Sequence, residues 1–181
     1  MVQKRKKQIA IVQCSGGSRA AEEVPRSTLS GDCRQTAEGC PEERVQCKWG
    51  CPGDGRCMAA CKLGAIFIND HGVAQVDREK CKGCGLCVKA CPKGLIQMIA
   101  PEYTIFPHCA SLDTGAETRK ACSVGCIACR ICEKNCPADA IKVADNHAII
   151  NMERCIACGM CAVKCPRGTI LDADQIFTAN A

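Results

Sequence analysis

The spacing of cysteines between Cys126 and Cys136 constrains this chain more than any other feature. The segment reads Cys126-Ile-Ala-Cys129-Arg-Ile-Cys132-Glu-Lys-Asn-Cys136-Pro137, or C-x2-C-x2-C-x3-C-P. That is the bacterial arrangement for holding a [4Fe–4S] cluster. Three thiolates on one tight loop can face three irons of a small cube, and the fourth Cys opens the next segment and reaches a second cube. Pro137 has no N–H and a fixed φ, so it turns the chain away after the last ligand. The pattern recurs intact at Cys81, Cys84, Cys87, Cys91-Pro92 and at Cys155, Cys158, Cys161, Cys165-Pro166. Zinc sites usually pair two Cys-x2-Cys knuckles and have no use for the third Cys or the trailing Cys-Pro, so the pattern favours iron and sulfide.

Composition agrees with small metal-held modules. The 181 residues include 21 Cys and one Trp, and aromatics make up 3%. A chain this poor in bulky apolar residues lacks a large core, and metal sites would then supply folding energy. The odd cysteine count and the absence of a signal-peptide apolar stretch argue against a secreted disulfide scaffold and place the chain in a reducing, cytoplasmic setting. The formal charge of +5 is not an argument for nucleic acid. Four clusters, each about −2 with its thiolates, would reverse its sign. The basic run Lys4-Arg5-Lys6-Lys7 reads as a solvated tail, with contact to an anionic membrane surface or an acidic partner as the alternative. Continuous apolar runs of a few residues are far short of the roughly 20 that a membrane helix needs, so no transmembrane segment is expected in this chain.

The sequence is an internal repeat. Cys47, Cys51, Cys57 and Cys61 recur 75 residues on as Cys122, Cys126, Cys132 and Cys136, and the Cys81 motif recurs 74 residues on. Ala65-Ile66 matches Ala140-Ile141, and Asn69-Asp70-His71-Gly72 and Asp145-Asn146-His147 mark matching hairpin turns. Cys14 has a counterpart in Cys109, since each follows a short extended run. We expect an α+β chain of two tandem bacterial-ferredoxin-like 2[4Fe–4S] modules behind a loop-rich N-terminal extension. The boundaries are 1–44 for the Cys-containing extension, 45–99 for the first module, 100–119 for a linker and 120–181 for the second module.

Crossed ligation follows from the role of the fourth Cys. Cys126, Cys129, Cys132 and Cys165 should hold one cluster, and Cys136, Cys155, Cys158 and Cys161 another. Cys61, Cys81, Cys84 and Cys87 make a third set. Cys51, Cys57 and Cys91 lack a fourth member, because Asp54 stands where the repeat places Cys129. The reading favours Cys47 as that thiolate, with Asp54 in the turn Pro52-Gly53-Asp54-Gly55. An Asp-ligated or [3Fe–4S] cluster is the alternative, and the repeat speaks for it, because Cys122, the counterpart of Cys47, is not needed for a cluster. Cys14, Cys33 and Cys40, with Cys47, are open to a fifth cluster or another metal. Those three, with Cys109 and Cys122, are equally open to a role as buried thiols. His71, His108 and His147 are weak ligands. Cys122-x3-Cys126-x2-Cys129 matches radical-SAM spacing by chance, with no room for a catalytic barrel.

Gln46-Cys47-Lys48-Trp49-Gly50-Cys51, Lys120-Ala121-Cys122-Ser123-Val124-Gly125-Cys126-Ile127-Ala128-Cys129 and the Cys109-Ala-Ser-Leu-Asp-Thr-Gly spacer resemble the RnfB family. That family forms the B subunits of the ion-pumping membrane ferredoxin:NAD+ oxidoreductases of anaerobes. The resemblance runs from near Ile9 to about Leu171; the family's N-terminal membrane helix and separate cluster-binding segment have no counterpart in these residues. It implies a polyferredoxin that carries single electrons from a reduced donor such as ferredoxin to membrane oxidoreductase subunits, peripheral at the inner face of the cell membrane. No nucleophile–base pair, flavin fingerprint or phosphate loop appears, so no substrate site of its own is expected. The rival readings are a wire subunit of a hydrogenase or formate dehydrogenase type of complex and, from another class, a redox-sensing or zinc structural module.

Overall fold

The computed structural model describes residues 7–20 and 47–177. Cys33, Cys40 and the basic run up to Lys6 lie outside the described residues.

Each half of the repeat is built from two short antiparallel pairs. In the first half, β2 (Ile66–Ile68) and β3 (Ala74–Val76) form a hairpin with Ile66 opposite Val76. In the second half, β6 (Ile141–Ala144) and β7 (His147–Ile150) do the same with Ile141 opposite Ile150. The β6–β7 turn places both Asp145 and Asn146 at positive φ, 46° and 63°, as a two-residue type I′ turn requires. The second pair closes each half. β1 (Ile9–Val12) runs antiparallel to β4 (Ile96–Ile99), with Ile9 opposite Ile99. β5 (Ile105–Pro107) runs antiparallel to β8 (Ile170–Asp172), with Ile105 opposite Asp172. The repeating unit therefore starts earlier than the cysteine motifs suggest. β1 falls in the stretch read as an extension, and β5 in the stretch read as a linker. Both are short apolar strands whose partner lies far along the chain, and all four β1 residues are buried.

Four very short helices follow the cysteine loops: α1 (Arg56–Ala60), α2 (Leu86–Ala90), α4 (Ile131–Lys134) and α5 (Met160–Val163). A fifth, α3 (Gly115–Ala121), fills the spacer between β5 and the second cysteine motif. Its start is fixed by a capping box: Thr114 Oγ1 accepts from the Glu117 amide, and Glu117 accepts from the Thr114 amide at 2.9 Å. The core is built of small aliphatics and cysteine. Ile9, Val73, Ile141 and Ile170 are among the most buried side chains, and Cys51, Cys57, Cys81, Cys87, Cys132 and Cys161 are buried with them. The two halves touch where Cys14 bridges Cys109 and Ala20 bridges Cys122 in antiparallel pairing.

Candidate iron–sulfur sites

The cysteine loops share one backbone shape, set by two left-handed residues. In the three intact motifs these are Gly83 and Gly85, Ala128 and Arg130, and Ala157 and Gly159, all with φ between 53° and 74°. The second of each pair is the N-cap of the following helix. This double bend folds the first three Cys of the motif around a common centre and points successive amides inward. Most residues avoid αL at a cost of about 1–2 kcal/mol, which explains why glycine takes three of these six places.

The segment 51–57 has the same two bends, at Gly53 (φ 71°) and Gly55 (φ 73°), although its second Cys is replaced. Asp54 therefore occupies the backbone position of Cys84, Cys129 and Cys158. Its side chain is only 7% exposed, and Oδ2 lies 3.1 Å from Arg56 Nε. That ion pair is not aligned as a hydrogen bond, so Oδ2 is a buried carboxylate oxygen without a hydrogen-bond donor. Cys84, Cys129 and Cys158 are instead exposed.

The fourth Cys of each motif sits in a repeated turn as well. The residue three places on is left-handed in all four: Gly64, Gly94, Asp139 and Gly168. The amide four places on donates to the thiol sulfur: Ala65 to Cys61 at 3.4 Å, Leu95 to Cys91 at 3.3 Å, Ala140 to Cys136 at 3.3 Å and Thr169 to Cys165 at 3.4 Å. Lys62 follows Cys61 where proline follows the other three. Proline is thus a convenience here, and the left-handed residue with its N–H···S bond is what all four turns share.

These turns carry each fourth Cys across to the other motif of its half. Cys61 lines one cavity with Cys81, Cys84 and Cys87. Cys136 lines another with Cys155, Cys158 and Cys161, and Cys165 a third with Cys126, Cys129 and Cys132. Cys91 comes close enough to Cys51 and Cys57 to add to the burial that raises both thiol pKa values, and Asp54 acts on the same two. Cys47 lines a cavity between the halves with Cys14, Cys51, Cys109 and Cys122, and Cys57 and Cys91, the rest of the set that its position in the sequence favours, are not part of that lining. The bends at Gly53 and Gly55 put Asp54 at the place in its loop that the second Cys takes in the other three.

Among the described residues no three Cys, His, Asp or Glu groups converge tightly enough to share one metal ion. The thiols ring voids instead, as a multi-iron core needs. Burial raises the thiols of Cys57 and Cys132 to about 11 and that of Cys161 to about 12. Metal binding at such a thiol has to displace its proton. Amides bonded to sulfur, buried apolar neighbours and sets of four thiols around one cavity all fit an iron–sulfur cluster. His108 stacks on Phe106 with ring centroids 4.7 Å apart, and burial followed by nearby Arg19 lowers its pKa to about 4. His71 Nδ1 lies 2.8 Å from Ser18 Oγ, and His147 Nδ1 lies 3.0 Å from the Asp145 carbonyl.

Comparison with known proteins agrees with this chemistry. The family described as "4Fe-4S binding domain" matches residues 74–97, and the "4Fe-4S dicluster domain" family matches residues 125–170. The B subunit of the Na+-translocating ferredoxin:NAD+ oxidoreductase complex of Acetobacterium woodii is 37% identical over 148 residues, which is 82% of this chain and 44% of that protein. The B subunit of the ion-translocating oxidoreductase complex of Methanosarcina acetivorans is 35% identical, covering 84% of this chain and 58% of that protein. The B subunit of the proton-translocating ferredoxin:NAD+ oxidoreductase complex of Clostridium ljungdahlii is 38% identical, covering 79% and 50%. The chain spans about half the length of these curated relatives.

Proposed function

We propose that this chain, an RnfB-like iron–sulfur protein with two ferredoxin-type 4Fe–4S domains, is a polyferredoxin carrying single electrons between a reduced donor such as ferredoxin and a membrane oxidoreductase of the ion-translocating type. Three complete sets of four thiols, each ringing its own cavity across two motifs, carry this reading. Cys61, Cys81, Cys84 and Cys87 would hold one cluster. Cys126, Cys129, Cys132 and Cys165 would hold a second, and Cys136, Cys155, Cys158 and Cys161 a third. Cys51, Cys57 and Cys91 would hold a fourth, completed by Asp54, whose side chain is 7% exposed at the second-Cys place of that loop, with Cys47, which shares a cavity lining with Cys51, as the other candidate. When bound, a [4Fe–4S] cluster supplies a one-electron couple whose potential depends on charge, burial and hydrogen bonds to sulfur.

The residues of the chain set those terms. The amides of Ala65, Leu95, Ala140 and Thr169 donate to thiolate sulfur and so favour the more negative, reduced state. Buried neighbours such as Ile66, Ile96, Ile141 and Ile170 exclude water and work in the opposite direction. Exposed Cys84, Cys129 and Cys158 leave one corner of each of three sites at the surface, where a partner protein can approach. Among the described residues no helix is long and apolar enough to cross a membrane, and a peripheral placement at the inner face is part of this reading.

The test is anaerobic stopped-flow mixing of the reconstituted chain with reduced ferredoxin, following the broad visible absorption. Bleaching by several electrons per chain is the expected result. A colourless protein that holds zinc after anaerobic purification would overturn the proposal in favour of a structural module.

A further inference from the structure

We propose that Cys14, Cys47, Cys109 and Cys122 hold one more iron–sulfur cluster, seated between the two halves of the repeat. These four are the cysteines among the described residues that the ferredoxin-like sets leave over. The structure draws them to one cavity although they are spread from position 14 to position 122, with Cys51, a ligand of the first-loop set, at its edge.

The four form two equivalent pairs. Cys14 and Cys109 each follow the opening strand of their half by two residues and face each other in a β-bridge. Cys47 and Cys122 each precede the first motif Cys of their half by four residues. Each half thus contributes one thiol of each kind, and the site is complete only when both halves are present.

The surroundings are those of the other sites. Cys14 Sγ accepts from the Cys51 amide at 3.3 Å. Burial raises the thiols of Cys14, Cys109 and Cys47, and nearby amides oppose it: those of Cys51 and Gly16 at Cys14, of Cys126 and Ser111 at Cys109, and of Trp49 at Cys47. Burial of Cys51 and Cys126, the first ligands of their motifs, is opposed in the same i+2 manner by the amides of Gly53 and Ala128. Gly16 keeps the space open: a Cβ there would stand 3.3 Å from Cys122 Sγ and 3.8 Å from Cys14 Sγ. Four cysteine thiols around one cavity are the donor set of an iron–sulfur cluster, so the ligand class proposed is a cluster with its own sulfide.

The consequence is continuity. The backbone of Cys51, a ligand in the first half, is hydrogen-bonded to Cys14, and the amide of Cys126, a ligand in the second half, acts on the thiol of Cys109. A cluster here stands directly between the two halves and makes one relay of two modules. That role rests on the electron-transfer reading; the ligand assignment does not.

The test is acid-labile sulfide and iron in the anaerobically reconstituted full chain. Sulfide is the safer count, because a three-iron cluster keeps four sulfides. About twenty sulfides per chain are expected, since each of five clusters brings four. Cys109→Ser/Cys122→Ser should lower the count by about four, and Cys33→Ser/Cys40→Ser should leave it unchanged. A wild-type count near sixteen overturns the proposal whatever the variants do, and leaves the ferredoxin-like clusters standing. Loss of about four sulfides in the Cys33/Cys40 variant, with none in the Cys109/Cys122 variant, overturns the ligand set. A chain that takes up no sulfide fails both readings together.

Discussion

The loops at 51–57 and 126–132 occupy equivalent places in the two halves and trace the same double left-handed bend, yet they differ in one chemical group. Cys129 is exposed at its corner, whereas Asp54 is covered and faces Arg56. The bend therefore does not need the second thiolate to form. Gly53 and Gly55 supply it without strain, where the second half uses Ala128 and Arg130. The difference also separates roles. Three sites present a thiol to the surface, and the Asp54 site presents a carboxylate held under a guanidinium. Carboxylate is a harder and weaker ligand for iron than thiolate. We expect this site to lose its fourth iron most readily and to differ in potential from its counterpart.

The largest effect expected is loss of the fold in both halves when metal is removed. Each half buries only short strands such as Ile9–Val12 and Ile141–Ala144 around its cysteines, and structural metal sites often contribute on the order of 10 kcal/mol. Chelation after oxidation should abolish cooperative unfolding by circular dichroism. If one half kept a dispersed NMR spectrum without metal, the two halves would differ in what holds them, and the core of that half would suffice alone.

Crossing within a half comes next. Cys136 lies in the motif of Cys126, Cys129 and Cys132 but lines the cavity of Cys155, Cys158 and Cys161. Cys136→Ser should lower iron by up to about four per chain, as one cube holds, and alter only the spectrum of the Cys155 set. Cys61→Ser should act likewise on the Cys81 set of the first half. Spectral change confined to the Cys126 set would refute the crossing.

How much of this is legible in the sequence follows from the range of the signals. Three members of each complete set lie within one motif of fixed local spacing, and the rule that the fourth Cys of a motif serves the other cluster groups the rest. The hairpins are legible from Asn69–Gly72 and Asp145–Asn146 for the same reason. The place of Cys47 is not legible locally: four residues before Cys51, it looks like a spare ligand for that loop. Besides Cys51, it shares its cavity with Cys14 and with Cys109 and Cys122, which belong to the other half. The repeat does hold the clue, because it pairs Cys47 with Cys122 and Cys14 with Cys109, and a cavity shared by two halves needs such paired surplus residues. Helix α3 falls in the stretch read as a linker, although Thr114-Gly-Ala-Glu117 is a local capping signal; the cysteine spacing on either side outweighs it. The pairing of β1 with β4 depends on closure across some 85 residues, from Ile11 to Gln97, which no short pattern encodes.

Exchange of the differing ligand should have a moderate effect, confined to one site. Asp54→Cys should restore four thiolates around the first loop and abolish any three-iron EPR signal of the oxidised protein. Cys129→Asp should create that signal in the second half. Both loops already share one backbone, so neither exchange should disturb the remaining clusters. A three-iron signal that persists in Asp54→Cys, or an iron loss in Cys47→Ser that spares the central set, would return Cys47 to the first loop.

The smallest expected effect concerns the bend itself. Arg130 has φ 59° where Gly55, Gly85 and Gly159 stand in the other loops. A non-glycine residue in this region costs about 1–2 kcal/mol, and glycine gives back about 0.5–1 kcal/mol through the greater freedom of the unfolded chain. Arg130 also lies 3.8 Å from Glu133, an exposed pair worth a few tenths of a kcal/mol at most. Arg130→Gly should therefore stabilise the second half by about 0.5 kcal/mol, read as a small rise in the denaturant midpoint of the metal-loaded protein under anaerobic conditions. Gly85→Arg should move the midpoint down by a comparable or larger amount, because nothing within 4 Å blocks a side chain at Gly85 and its cost there is conformational alone. An Arg130→Gly variant less stable than wild type would show that the guanidinium holds the loop through its charge, and that the two halves differ at this position for more than backbone reasons.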